Sequence, residues 1–464
     1  MKLMPFNFDK FEDDKYLVSN LAGFHEVISD EELIDLSTAG TVKCNETLAR
    51  LQSGLFVSPS SSEQAVTAAL ASGFSKKLIQ ELSFKPIFMI VPTLRCDHSC
   101  SYCQVSRASI EAQGYDLDEA HIPTIIDIIK RLSSGPYKLE IQGGEPLVRF
   151  DLVQKIYAEA EKTLNVSNFE FVITTSLSLL SDEIIQWAKN KNVHFSTSLD
   201  GESYIHNENR IISSSNSYEL ATKWIERIID QLGFDRVSTV TTVTRSLLNH
   251  PDSILKAHDR LGLHDIFVRP ISPYGFAKKQ KKLDYSINEY MSFYKKLFKE
   301  ISDYNDQGVP FREYSATVHV SRILNPRYSS YADLKSPSGL LLNCILFNYD
   351  GQIYGSDEMR MLQRVIKGAD FSMGSVDAPN ILTSLTASLI DQSFNFVHPG
   401  CSDCAYQPFC GSDPCQNISA QGESVGNKSL STFCKYHMEM FRFIFSKIYS
   451  DNQARSLLSR WSDA

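Results

Sequence analysis

With 464 residues, 42% of them apolar and 22% charged, the chain has a globular composition and the length for two or three domains. Its net charge of −9 argues against a nucleic-acid partner, which needs a basic face. No apolar run reaches the eighteen or so residues of a membrane span, and the polar, acidic N-terminal segment has no signal-peptide apolar region, so no membrane association and a cytoplasmic location are expected.

Residues 1–84 read as a small α+β, winged-helix-like unit. A short strand near 16–20, a turn to Gly23, and a helix capped by Asp30-Glu31-Glu32 are expected there, with a second helix ending near Leu51. One reading is an extension that packs on the main body. A sharper one is a docking module that offers a strand edge to a peptide leader.

From residue 85 the rhythm changes. Strands are predicted at 86–91, 137–141, 169–174, 193–199, 237–243 and 266–269, alternating with helices at 119–132, 151–164, 181–189, 217–231 and 251–261. Six such strands indicate a parallel α/β sheet closed as a partial (β/α)6 TIM-like barrel over residues 85–305. In such folds the loops after the strand carboxyl ends carry the chemistry. Residues 306–340 read as an irregular connection. Residues 341–440 are cysteine-rich, with a hairpin signal at Tyr349-Asp350-Gly351-Gln352. Residues 441–464 complete a C-terminal helix and tail.

Ten cysteines are unevenly placed. Cys96, Cys100 and Cys103 form one group, and Cys344, Cys401, Cys404, Cys410, Cys415 and Cys434 form another. Clustered cysteines in a cytosolic chain of this size bind metal more often than they form disulfides. Three thiolates within eight residues can hold three corners of an iron–sulfur cube, which normally takes four. The fourth iron is then open to a non-protein ligand. The competing reading is a zinc knuckle completed by His98 or a distant residue, although zinc sites are usually closed tetrahedra of paired ligands.

The Cys96-x3-Cys100-x2-Cys103 loop, with Tyr102 before its last cysteine, resembles the signature of radical S-adenosylmethionine (radical SAM) enzymes. The resemblance implies a 4Fe–4S cluster whose open iron chelates SAM, an external one-electron reductant of flavodoxin or ferredoxin type, and a 5′-deoxyadenosyl radical that abstracts a substrate hydrogen. Gly143-Gly144-Glu145-Pro146 resembles the family's Gly-Gly-Glu motif, in which the glycines admit SAM and Glu145 or nearby carbonyls receive its ammonium group. By the same resemblance Ser198 and Asp200 contact the SAM ribose or carboxylate, and Arg210 pairs with the carboxylate rather than forming a surface salt bridge. Ser176 stands where relatives often carry asparagine.

The second cysteine group resembles the SPASM extension of peptide-modifying radical SAM enzymes. By that pattern Cys401, Cys404, Cys410 and Cys434 hold one auxiliary 4Fe–4S cluster, and Cys344 and Cys415 belong to another. The pattern is broken at Ser356, where relatives carry cysteine. The other auxiliary site therefore has two thiolates at most and is read as absent or degenerate, or as completed by Asp357 or Asp413. Asp357 has a second implied role, as general base, with a solvated loop acid as the plain alternative.

The stretches 103–107, 267–277 and 400–411 resemble His-Xaa-Ser-type peptide maturases and enzymes that form three-residue cyclophanes. This implies a ribosomal precursor peptide as substrate, cross-linked from a side-chain carbon to an aromatic ring. Thioether formation, epimerisation and Ser or Cys oxidation are the alternatives within the superfamily. A non-catalytic iron–sulfur carrier or scaffold is the alternative from another class, and it would need neither the Gly-Gly-Glu turn nor Arg210.

Overall fold

A computed structural model describes residues 1–83, 86–105, 107–164, 169–213, 216–275, 277, 280–325, 328, 331–380 and 384–462. Ser106 and Phe276, within two of the stretches named above, lie outside them. The chain divides into two compact units: Met1–Phe84 with Ala316–Gly339 and Ile390–Ala464, and Lys85–Ser315 with Leu340–Leu389. Among the described residues no helix is long and apolar enough to cross a membrane.

The first unit begins with an antiparallel sheet of β1 (Asn7–Glu12), β2 (Lys15–Ser19) and β3 (His25–Ile28), in that spatial order. Helices follow at Asp30–Ala39, Asn45–Ser53 and Glu63–Glu81. The first helix is capped by Ser29 rather than by Asp30. Ser29 and Glu32 form a reciprocal capping box, and the acidic run occupies the first turn, where it complements the helix dipole. Val18, Ile28, Leu36, Leu51 and Phe56 make a small apolar core. The helix Glu63–Glu81 was not expected, because its apolar residues do not line one face; its one fully buried residue is Glu81.

The second unit is built on one eight-stranded sheet. Its strands are β4 (Ile87–Thr93), β5 (Tyr137–Gly143), β6 (Phe169–Thr174), β7 (Val193–Ser198), β8 (Val237–Val243), β9 (Val268–Pro270), β10 (Cys344–Phe347) and β11 (Ile353–Tyr354). The spatial order is β9-β8-β7-β6-β5-β4-β10-β11. The six strands β4 to β9 are parallel to their neighbours, as the alternating pattern predicts. On β5, Tyr137, Leu139 and Ile141 enter the apolar core, while Lys138, Glu140 and Gln142 lie on the opposite, polar face.

The hairpin at 349–352 forms as expected, with Gly351 at φ +77° in its turn. Its placement is new: β10 pairs parallel with β4, Cys344 opposite Ile87, so residues 340–389 belong to the barrel unit. The expected irregular connection at 306–340 also contains a helix, Tyr314–Leu324. Its β-branched and polar residues hid the helical period.

Candidate cofactor and metal sites

All parallel strands of the second unit end at one mouth, and the loop Cys96–Cys103 leaves β4 there. Its base is clamped. Arg95 donates to both carboxylate oxygens of Asp116, each at 2.8 Å, and Thr93 Oγ1 and Arg149 Nη1 add bonds of 2.7 and 2.9 Å. Burial pushes the Asp116 carboxyl up, but the bonds from Arg95, Thr93 and Arg149 hold it below its ordinary value. The far side of the loop is sewn down by Ser99 N to Ile211 O at 2.7 Å and Ser101 N to Asn209 O at 2.9 Å.

The two glycines of the Gly-Gly-Glu turn have a local steric role. A Cβ on Gly143 would stand 2.3 Å from Thr93 O, and one on Gly144 would stand 2.3 Å from Arg95 O. They let β5 close against the root of the cysteine loop, where Gly144 N and Glu145 N donate to Thr93 O and Arg95 O at 3.0 and 2.8 Å.

Glu145 is 1% exposed, and its carboxylate accepts four hydrogen bonds. Leu147 N (3.1 Å) and Thr175 Oγ1 (2.7 Å) reach one oxygen; Ser176 N (2.7 Å) and Ser176 Oγ (2.8 Å) reach the other. Pro146 opens the short turn beside it. The side chain of Glu145 thus joins the loops after β5 and β6.

From Glu145 a chain of polar contacts runs along the mouth. Ser178 Oγ lies 2.8 Å from Ser176 Oγ and 2.6 Å from Asp97, and its single hydrogen serves one of the two. Asp97 pairs with His98 Nδ1 at 2.9 Å, and His98 Nε2 meets Ser217 Oγ, also at 2.9 Å. Ser217 bridges to His206 Nε2 at 3.1 Å, and His206 Nδ1 accepts from Asp200 N at 3.3 Å. Asp200 accepts from the Tyr102 hydroxyl, which accepts from Arg210 Nη1 at 3.0 Å. Both nitrogens of His98 are committed, so it is not the fourth ligand of a zinc knuckle. Of this chain, the sequence reading singled out Tyr102, Glu145, Asp200 and Arg210, and also named His98 and Ser176. The linking residues Asp97, Ser178, His206 and Ser217 are small or common types at irregular spacing and carry no signal of their own.

Arg210 is partly buried against the loop, where it adjoins Cys100, Tyr102 and Asp200. Burial works against its charge, but these neighbours hold the guanidinium firmly protonated. Burial raises the Asp200 carboxyl, opposed by Arg210 and by Thr242 N, which donates at 3.0 Å. Arg269, exposed at the end of β9, also lies within electrostatic reach of Asp200. Ser198 closes β7 with its side chain partly exposed.

The Cys100 thiol is pushed up to about 11, first by burial and against the pull of Arg210. Burial raises the Cys96 thiol further. Thiols in this setting ionise against a bound cation. Among the described residues no three His, Cys, Asp or Glu side chains already stand at coordination spacing. The fit to an iron–sulfur cube therefore rests on the donor set: three thiols on one clamped loop, beside an arginine and an aspartate that suit a charged amino-acid group.

In the first unit, Cys401, Cys404 and Cys410 lie on one loop, and Cys434 lies in the first turn of the helix Thr432–Ser450. Burial raises all four thiols, and Cys401, Cys404 and Cys410 are raised further by other cysteines of the group. Four thiols grouped closely enough to disfavour ionisation within the group fit a metal cluster as donors. The loop is gripped by the N-terminal sheet: Asn7 Nδ2 donates to Ser402 O at 2.8 Å, Ser19 Oγ to Ala405 O at 2.6 Å, and Tyr406 to Asp9 at 2.8 Å. Nothing in the sequence tied residues 7–19 to a loop some four hundred positions later.

The two cysteines of the second auxiliary set fall in different units. Cys344 is buried at the amino end of β10, opposite the mouth, while Cys415 is buried in the helix Pro414–Gln421 of the other unit. Ser356, where the pattern breaks, caps the helix Asp357–Val365 by accepting from Met359 N at 3.2 Å. Asp413 caps Pro414–Gln421 by accepting from Gln416 N at 2.8 Å. Asp357 is not a solvated loop acid. It is 6% exposed and paired with Arg360, whose Nε donates at 2.9 Å.

Parallel strands with a cysteine loop at their carboxyl ends define a partial-barrel domain with a thiol-lined mouth. Residues 90–256 match the Radical SAM superfamily and form a radical SAM domain. An uncharacterized protein of Methanocaldococcus jannaschii is 28% identical over 109 residues, 24% of this chain and 36% of that protein. A probable GTP 3′,8-cyclase of Methanothermobacter thermautotrophicus is 26% identical over 178 residues, 37% of this chain and 53% of that protein. The chain thus spans only about a third to a half of these curated relatives. Among solved structures, native anSMEcpe with bound AdoMet and Kp18Cys peptide superposes with a TM-score of 0.66 at 16% identity, covering 82% of this chain and 100% of that one. Streptococcus suis SuiB bound to precursor peptide SuiA gives 0.55 at 12% identity, covering 93% and 100%. These structures share the fold.

Proposed function

We propose that the protein is a radical SAM enzyme that modifies a ribosomally made precursor peptide, by cross-linking a side-chain carbon to an aromatic ring. The observation that carries this is the juxtaposition of Cys96, Cys100 and Cys103 with the Arg210–Tyr102–Asp200 chain at the carboxyl mouth of the radical SAM domain. The peptides bound in the anSMEcpe and SuiB structures support a peptide substrate.

SAM, bound at a 4Fe–4S cluster on the three thiols, supplies a 5′-deoxyadenosyl radical that removes a hydrogen atom from the peptide. The protein's part is to bind and orient. Arg210 pairs with the SAM carboxylate. Backbone carbonyls of Gly143 to Pro146 receive its ammonium group, because the Glu145 carboxylate is occupied. Ser198 and Asp200 would contact the SAM ribose or carboxylate. Rearomatisation of the ring requires loss of a proton and an electron. Asp357 is the proposed proton acceptor, with Arg360 as its counter-charge. Cys401, Cys404, Cys410 and Cys434 would hold a single auxiliary cluster, which would supply an acceptor for the electron, and a flavodoxin or ferredoxin type protein would be the external reductant. The second auxiliary site, to which the resemblance assigns Cys344 and Cys415, is read as absent or degenerate in this chain. The edge of the N-terminal sheet β1–β3 is the proposed seat of the peptide leader.

The test is anaerobic reconstitution followed by co-expression with the neighbouring small peptide. The reading requires SAM-dependent 5′-deoxyadenosine and loss of two hydrogens per ring from the peptide. Intact clusters without 5′-deoxyadenosine would return the protein to the class of electron carriers. An unchanged peptide mass with inverted stereocentres would make it an epimerase.

A further inference from the structure

Outside the mouth, a group of buried charge lies beside the second cysteine loop, all within the first unit. Arg322, with a side chain 3% exposed, pairs through Nη2 with Glu81 Oε1 at 2.8 Å. Its Nε donates to Phe409 O, and Lys77 Nζ donates to Pro408 O, the two carbonyls that lead into Cys410. Asn395 Nδ2 holds Cys410 O at 2.8 Å. Lys77, Glu81, Arg322 and Cys410 line one small cavity.

Two polar atoms in this group have no partner among the described residues. They are Arg322 Nη1 and Glu81 Oε2, both fully buried. A buried guanidinium N–H without an acceptor costs free energy, so such a group points to something that completes it. Arg322 also acts electrostatically on the Cys410 thiol. A thiolate-ligated cluster supplies acceptors and negative charge at that place.

We propose that Arg322 is a positioning residue for the auxiliary cluster on Cys401, Cys404, Cys410 and Cys434: its Nη1 donates a hydrogen bond to a cluster sulfur, and its charge, balanced by Glu81, sets the reduction potential. The inference rests on the auxiliary-cluster reading above. Reduction adds one electron and one unit of negative charge to the cluster. A buried cation beside it favours the reduced form, and a buried carboxylate opposes it. Burying an Arg–Glu pair brings little net stability, so a redox role explains why both charges sit here.

The experiment uses the full chain with Cys96, Cys100 and Cys103 replaced by alanine, so that the auxiliary cluster alone gives the paramagnetic signal. Redox titration with dithionite is followed by electron paramagnetic resonance. Glu81→Gln is expected to favour the reduced form about tenfold, a rise of about 59 mV for a one-electron couple. Arg322→Gln is expected to disfavour it by a similar factor, and Arg322→Lys to restore part of the loss. A merely structural role would not move the two potentials in opposite directions. Both midpoints unmoved, or shifted the same way with iron content intact, would overturn the inference. If Arg322→Gln fails to hold iron, the sign of the Glu81→Gln shift decides. A parent without iron would instead refute the cluster reading itself.

Discussion

Ser176 gives both its backbone N–H and its hydroxyl to a single carboxylate oxygen of Glu145, at 2.7 and 2.8 Å. With Thr175 and Leu147 on the other oxygen, this carboxylate accepts four hydrogen bonds and braces two strand ends. An amide in its place turns an NH2 group toward donors and leaves at least one of them unpaired. Glu145→Gln is expected to lower the unfolding free energy by about 1–3 kcal/mol, measured in urea at matched m-values. Parent-like stability would remove the brace from the account.

Arg210 donates to the Tyr102 hydroxyl at 3.0 Å. Arg210→Met is expected to weaken SAM binding to the reconstituted enzyme by about tenfold or more, about 1.4 kcal/mol, by calorimetry. Arg210→Lys should recover only part, because a lysine lacks the fork that matches a carboxylate. Unchanged affinity in both would return Arg210 to a structural role.

Asp357 and Arg360 form a buried pair on one helix. Arg360→Met leaves an uncompensated carboxylate and should cost about 3–5 kcal/mol. Adding Asp357→Asn removes that carboxylate, so the double variant should be less destabilised than the sum of the singles. If Asp357 is the base, Asp357→Asn alone still forms 5′-deoxyadenosine but leaves the peptide unmodified. Full modification by that variant would move the base elsewhere.

Ser356→Cys places a thiol where relatives carry one. It also loses the cap on Asp357–Val365, at a cost of about 1 kcal/mol. With the cap function dominant, iron should stay at about eight per chain, four for each of two cubes. A rise to about twelve would establish a second auxiliary site.

His258 is buried between Thr239 Oγ1 at 2.9 Å and Ile254 O at 2.8 Å. Burial pushes its pKa from 6.5 down to about 4, only partly offset by the Ile254 carbonyl. Between those values the unfolded chain binds more protons than the folded one. Stability is therefore full above pH 6.5 and is lost as pH falls toward 4, by up to about 3 kcal/mol for this group. His258→Gln should flatten that part of the stability–pH curve. An unaltered slope would mean that other groups produce the acid limb.

The six parallel strands were legible because each is an apolar run ended by a turn, and local pattern decides such elements. The cysteine loop and Arg210 were legible because chemistry constrains their spacing or type. What stayed hidden is what distance in the chain conceals. β10 joins the barrel sheet through Cys344 and Ile87, more than two hundred and fifty positions apart. The chain of polar contacts through Asp97, Ser178, His206 and Ser217 is made of residues whose value lies only in their neighbours. The solvated-loop alternative for Asp357 stayed open because Ser356, its cap, was weighed only as a missing cysteine.

The first unit is assembled from both ends of the chain, and this sets an order on its making. Asn7, Asp9 and Ser19 leave the ribosome first, but the loop they hold, Ser402 to Tyr406, is made nearly last. Contacts of such long separation form late and slowly. The N-terminal sheet therefore waits through almost the whole of synthesis, while the barrel unit, complete by Leu389, has every strand it needs earlier. On the proposed auxiliary-cluster reading, loading of iron on Cys401, Cys404, Cys410 and Cys434 would then be a closing event of biogenesis. Truncation of the first twenty residues should produce a chain with a formed barrel and an open, iron-poor C-terminal loop.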